Sequence, residues 1–279
     1  TKSLSAARFD QYDYSEIHEL LSKNNEAAFL SGERRPLGNI LLTGATGFMG
    51  IHVLAEYLKT QRGTAYCMVR KGHYPTAVDR VKNMLFYYFG EEVKKEIERV
   101  QAFDGDVTDY DSFRQFLDLP VDTVFNCAAS VKHFSSGTDI EDINVGGVQN
   151  CIRFCLEKGT RLIHFSTTSV GGALPANGEI QTLDEHILYF GQILENQYTS
   201  SKLLAEREVF ESVAEKGLDA KVIRVGTLAP RESDGEFQIN FLSNSFMGRL
   251  RSFVMLKVFP HSMINNPLRM GPIDESAKA

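Results

Sequence analysis

The strongest limit on how this chain can fold is an alternation. Short, continuously apolar runs at 40–42, 65–69, 100–103, 123–127, 162–165 and 221–225 alternate with helix-like stretches at 51–60, 78–89, 111–117, 145–157 and 200–214. Apolar runs of this length suit strands buried on both faces. Strands that each lead into a helix build a parallel sheet covered on both sides. The expected fold is therefore α/β, a Rossmann-type doubly wound parallel sheet. Beyond Pro230 the alternation stops. Residues 237–259 are apolar with scattered cations and are expected to be helical, the start of a second, smaller subdomain. Residues 1–38 are polar. Ser15 is placed to cap a short helix carrying Ile17, Leu20 and Leu21, and residues 31–38 read as a linker. The expected division is 1–38 (helix and linker), 39–232 (dinucleotide-binding domain) and 233–279 (an incomplete subdomain).

At 279 residues the chain can bury one large core with an appendage. A net charge of -6 argues against a nucleic-acid surface. No run reaches the roughly 18 apolar residues of a membrane span. Cys67, Cys127, Cys151 and Cys155 lack metal-ligand spacing and suggest no disulfide framework. Buried, reduced thiols favour the cytoplasm, and no metal is expected. The chain opens on Thr1 and stops at 274–279, which reads as the start of a helix. An excised piece of a longer protein is expected.

Thr43-Gly44-Ala45-Thr46-Gly47-Phe48-Met49-Gly50 joins the first strand to the first helix. A pyrophosphate needs a tight turn, bare backbone and a helix N-terminus, and this segment supplies all of them. Thr43, Gly44, Thr46, Gly47, Phe48, Met49 and Gly50 are the candidate contacts. Arg70 ends the second strand about 20 residues after the last glycine, where the ribose is met. An acidic residue there would select NAD; Arg70 favours a 2′-phosphate and so NADPH. Arg80 is a candidate second cation, whereas Lys71 reads as a solvated loop residue. Asp106 follows the third strand and either meets the adenine or caps the next helix. Ala128 and Ala129 follow the fourth strand and let a cofactor lie against backbone. Asn144 is expected to make a structural hydrogen bond.

Tyr198 and Lys202 are four residues apart, on one face of a helix. An unperturbed phenol titrates near about 10, and a neighbouring ammonium lowers that value, making the tyrosine a usable acid–base group. Lys202 can also bond the nicotinamide ribose. The fifth strand ends in Ser166-Thr167-Thr168. Thr167 is the candidate to hydrogen-bond a substrate oxygen, with Ser166 and Thr168 as alternatives. His133, His164 and His186 share no pairing pattern and receive no catalytic role.

These segments resemble the extended short-chain dehydrogenase/reductase superfamily. Within it, 39–50, 68–70, 125–131, 143–147, 164–170 and 198–206 are most similar to the terminal thioester reductase domain of nonribosomal peptide synthetases, with relatives in carboxylic acid and aminoadipate reductases. The GxxGxxG spacing is the superfamily's own. The resemblance implies a monomeric domain of a multidomain synthetase. An upstream peptidyl or acyl carrier domain would present a phosphopantetheine-linked thioester. NADPH would reduce it to an aldehyde, or further to an alcohol, with Thr167, Tyr198 and Lys202 as the catalytic set. It also implies further chain beyond 270–274 to complete the substrate subdomain. Arg249, Arg251 and Lys257 lie in a segment that either packs the subdomain or docks an acidic carrier. Rival readings are a fatty acyl-CoA or carboxylic acid reductase, a sugar-nucleotide epimerase/dehydratase, and a non-catalytic NADP-binding sensor.

Overall fold

The computed structural model describes residues 8–24, 35–133, 135–173, 183–264 and 270–279. Residues 31–34 of the expected linker lie outside them. The chain divides into two compact units, Thr1–Val225 and Gly226–Ala279. Among the described residues, no helix is long and apolar enough to cross a membrane.

The first unit is built on β1 (Ile40–Thr43), β2 (Ala65–Val69), β3 (Val100–Asp104), β4 (Thr123–Asn126), β5 (Arg161–Thr167) and β6 (Ala220–Val225). All neighbours pair in parallel, in the order β3-β2-β1-β4-β5-β6. This is the doubly wound order, whose direction of winding reverses between β1 and β4. Ligands in such sheets sit outside the carboxyl ends of the strands at that reversal. The apolar runs are strands for the expected reason: every residue of β1, β2 and β4 is buried.

Helices α1 (Ser15–Ser22), α2 (Phe48–Thr60), α3 (Ala77–Phe89), α4 (Asp111–Arg114), α5 (Gly147–Lys158) and α6 (Gln197–Lys216) accompany the sheet. Leu41 of β1 shares one core with Phe113 of α4, Phe116, Phe154 of α5, and Ala205 and Val209 of α6. Side chains alternate along a strand, so Ile40 and Leu42 serve the opposite face. Ile17 and Leu21 of α1 join a second core with Leu203 and Leu204 of α6 and Val170. Ser15 is not the cap of α1. Tyr14 holds that position without a side-chain bond, and Asp13 accepts the Ser15 N–H at 3.0 Å.

The second unit contains β7 (Thr227–Ala229), α7 (Ser245–Leu256), β8 (Met270–Pro272) and α8 (Ile273–Lys278). β7 and β8 pair in parallel, a small sheet the sequence pattern did not announce. The helix expected over 237–259 is confined to α7 after a short 3-10 turn at Phe241–Ser243. Asn244 caps α7 by accepting from the Phe246 and Met247 N–H groups, which fixes its start. Arg249, Arg251 and Lys257 are exposed.

Candidate active site

The glycine turn forms a cradle that other residues would fill. Gly44 has a φ of 71°, in the left-handed region. A Cβ at Gly44 would stand 2.6 Å from the Ala128 nitrogen. Backbone of the β1 turn thus touches backbone after β4. A Cβ at Gly50 would collide with the Gly44 carbonyl, so α2 can pack this closely only with glycine there. Gly47 sits at the N-cap of α2, where no side chain caps and the first turn carries no acid. The uncapped N–H groups and helix dipole favour an anion at that point. The residues present therefore fit a dinucleotide pyrophosphate.

Around this cradle the other candidates take distinct positions. Thr46, Phe48 and Met49 are partly exposed, as are Ala128 and Ala129. Thr43 is fully buried, and its hydroxyl donates to Asn126 Oδ1 at 2.6 Å. Its side chain is committed inward. Arg70 and Asp106 meet at the ends of β2 and β3, with an exposed guanidinium 3.9 Å from the carboxylate. Arg80 donates to the Arg70 carbonyl, so it braces the turn that carries Arg70. Asp106 does not cap α4. Its Oδ1 accepts from the Thr108 N–H and hydroxyl, while Asp109 accepts the Asp111 N–H that opens that helix.

The acid–base candidates converge at the end of β5. Helix α6 begins at Gln197 because Asn196 accepts the Thr199 N–H at 3.0 Å, so Tyr198 and Lys202 both lie within it. Thr167 ends β5 and is buried, its Oγ1 accepting from the Ser169 N–H at 3.2 Å. Burial raises the Tyr198 pKa above its ordinary value, and a hydrogen bond with Thr167 opposes that rise. Of the alternatives to Thr167, Ser166 is buried and Thr168 exposed.

Lys202 departs from expectation. Its ammonium donates to the Phe165 carbonyl at 2.6 Å and lies 3.5 Å from His164 Nε2. Burial lowers its pKa to about 8, against the pull of Glu206 and Cys127. The lysine was expected to lower the Tyr198 pKa, but Thr167 is the group that does so. The histidines were also under-read. His164 is fully buried beside Lys202, and the His133 ring stacks on Tyr198 with centroids 6.3 Å apart and planes at 19°. A lone histidine inside an apolar strand was the available signal for His164; His133 left none.

Asn144 makes the expected structural bonds and ties the cradle to α6. Its Oδ1 accepts from the Ser130 N–H at 2.7 Å, and its Nδ2 donates to the Ser130 carbonyl at 3.0 Å and Ser201 Oγ at 2.9 Å. It lies in a wide π turn, Asp142–Gly146, just before α5.

Residues 42–279 match the NAD-binding family described as Male sterility protein. The fold is similar to that of a thiolation-reductase di-domain from an archaeal non-ribosomal peptide synthetase, with 40% identity and a TM-score of 0.91 over 98% of this chain and 74% of that one. It is also similar to the Aureusimine biosynthetic cluster reductase domain, at 31% identity and a TM-score of 0.79 over 96% of this chain and 71% of that one. A linear gramicidin synthase of Brevibacillus parabrevis is 26% identical over 246 residues, covering 85% of this chain and 5% of that protein. The chain spans 7% of Probable polyketide synthase 45 of Dictyostelium discoideum, another of the curated relatives it matches.

Proposed function

The chain belongs to the Male sterility protein family of NAD-binding domains, and on that premise we propose that it releases a carrier-bound acyl or peptidyl thioester by NADPH-dependent reduction to an aldehyde. The observation that carries this reading is the placement of Tyr198 beside Thr167 at the end of β5, where Thr167 opposes the burial-driven rise of the phenol's pKa, one strand from the Gly44–Ala128 cradle. Similarity to reductase domains of peptide synthetases supports the substrate class.

When bound, the nicotinamide supplies a hydride to the thioester carbonyl carbon. Tyr198 gives its phenolic proton to the carbonyl oxygen as the double bond is lost. Its burial-raised pKa keeps that proton in place at neutral pH. Thr167 Oγ1 already accepts from Ser169, which leaves its own proton to bond the same substrate oxygen. The C–S bond of the resulting thiohemiacetal then breaks, its hydroxyl proton passes to sulfur, and an aldehyde and the free carrier thiol result. Lys202, one turn further along α6, supplies the proton that restores Tyr198. Arg70 pairs with the 2′-phosphate and so selects NADPH. The second unit belongs to the substrate side, and the exposed Arg249, Arg251 and Lys257 give it a cationic docking face for an acidic carrier. The buried thiols of Cys67, Cys151 and Cys155 suit a reducing cytoplasm.

The test follows NADPH consumption with an acyl-phosphopantetheine thioester, an acyl-CoA and a sugar nucleotide, with aldehyde and alcohol quantified. Turnover with the phosphopantetheine thioester is expected. Arg70→Ala is expected to weaken NADPH about 10- to 100-fold, as loss of a charge-assisted bond does, and to leave NADH unchanged. Activity with the sugar nucleotide alone overturns the reading.

A further inference from the structure

Beneath the site, buried polar groups form one chain. Thr43 Oγ1 donates to Asn126 Oδ1 at 2.6 Å. Asn126 Nδ2 lies 3.2 Å from His164 Nδ1, and His164 Nε2 lies 3.5 Å from Lys202 Nζ. None of the four residues is more than 2% exposed. The chain crosses the carboxyl ends of β1 and β4 and the middle of β5, three adjacent strands, and ends on α6. It runs from the last residue before the glycine turn to the lysine of the acid–base pair. Burying these groups costs solvation that apolar side chains in a sheet core would not lose. A histidine here needs a reason that packing does not supply.

The reason lies in its protons. Burial, reinforced by the Lys202 charge, holds the His164 pKa well below its ordinary value. The ring is therefore neutral, one nitrogen donating and the other accepting. Facing an ammonium, Nε2 must accept and Nδ1 must carry the proton. Facing a neutral amine, Nε2 can donate instead. With Asn126 Oδ1 holding the Thr43 proton, the Asn126 amide donates to Nδ1 and matches the Nε2–H tautomer; the Nδ1–H tautomer is met when the Asn126 amide turns over, its carbonyl accepting from Nδ1 and its amide donating to Thr43 Oγ1.

We infer that His164 is the positioning residue for Lys202, its imidazole changing from acceptor to donor at Nε2 as the lysine loses its proton, and that it links the lysine through Asn126 to Thr43 at the dinucleotide turn. The other charged or titratable groups that act on the amine are Cys127 after β4 and Glu206 on its own helix. Glu206 is in turn held by Arg224 of β6 at 2.8 Å. Of these groups His164 is the one whose polar atom lies within hydrogen-bond reach of the amine, and its imidazole can accept from the ammonium or donate to the neutral amine. The importance of this arrangement to turnover rests on Lys202 serving the proposed acid–base centre.

The test titrates the protein by NMR, with ¹³C at lysine Cε and ¹⁵N in the histidine rings. In the unmodified chain, the His164 ring is expected to pass from the Nδ1–H to the Nε2–H tautomer with the same midpoint as Lys202. A ring that keeps one tautomer throughout overturns the inference. His164→Phe, which removes the acceptor, is expected to lower the Lys202 midpoint by about one pH unit or more, since an unpaired buried ammonium is disfavoured. NADPH turnover should fall about 10- to 100-fold, mostly in kcat. His164→Gln keeps an amide at the Nε2 position and is expected to restore most of both. An unchanged midpoint in a folded, dinucleotide-binding His164→Phe overturns the inference. The tautomer titration decides it if that variant does not fold. Thioester turnover that is absent while both titrations behave as expected would reject the substrate reading and leave the role of His164 supported.

Discussion

Tyr198 shows how far spacing alone can be trusted. The four-residue interval from Tyr198 to Lys202 was enough to place both on one helix. It was not enough to say where the ammonium points, because that depends on the Phe165 carbonyl and His164, contributed by a strand. The Tyr198 pKa is consequently set by burial and Thr167, and the lysine, its ammonium held by the Phe165 carbonyl, is the proposed proton source. Tyr198→Phe should lower kcat by about 10²- to 10⁴-fold, the usual contribution of a positioned acid. Dinucleotide affinity, measured by fluorescence titration, should stay within a factor of about two, since the phenol is not part of the cradle. The pH profile follows from Lys202. Its pKa is lowered to about 8. Below that value the amine carries the proton that reduction consumes; above it, the proton is gone. Turnover should therefore be level up to about pH 8 and decline beyond it. In Lys202→Met that limb should vanish along with most of the rate.

At the scale of elements, β1, β2 and β4 were legible because each is buried along its whole length and reads as one apolar run, while β3, β5 and β6 are buried only in part and were read from their apolar character and their place in the alternation. Ends and irregular turns were less so. Helix α6 starts at Gln197 rather than 200 because Asn196 caps it, a contact between neighbours that no periodicity signals. The helix expected over 145–157 is a π turn followed by α5, because Asn144 is drawn to both Ser130 and Ser201. β7 and β8 escaped notice because three-residue strands, one of them Met-Gly-Pro, have no period to read. The glycine turn was fully legible, since steric need leaves glycine as the residue that fits. Gly44→Ala tests that need. The left-handed conformation costs a non-glycine residue about 1–2 kcal/mol, and the added Cβ meets the Ala128 backbone at 2.6 Å. Chemical denaturation should show a loss of at least that size, and NADPH binding should fall below detection because the β1 and β4 backbones are forced apart. A stable Gly44→Ala protein that still binds would mean the turn is not the cradle.

For the molecule as a whole, the division into Thr1–Val225 and Gly226–Ala279 gives dinucleotide binding a defined reach. Every proposed cofactor contact, from Thr43 to Lys202, belongs to the first unit. Thr43, Asn126, His164 and Lys202 join its strand ends to α6, and Asn144 joins the loop after β4 to the same helix. A ligand held by that unit stabilises it by mass action, about 2.7 kcal/mol at a free concentration one hundred times Kd. For a body of this size that corresponds to a rise of roughly 5–10 °C in melting temperature. The rise should appear in the unmodified chain and in Tyr198→Phe, and be absent in Gly44→Ala, which separates holding the dinucleotide from using it. Amide hydrogen exchange should locate the effect. Added protection should fall on the turn after β1, the loop after β4 and the start of α6, with residues beyond Gly226 unchanged. Protection gained equally across Gly226–Ala279 would mean that both units take part in binding, and the site would then have to be redrawn to include the second.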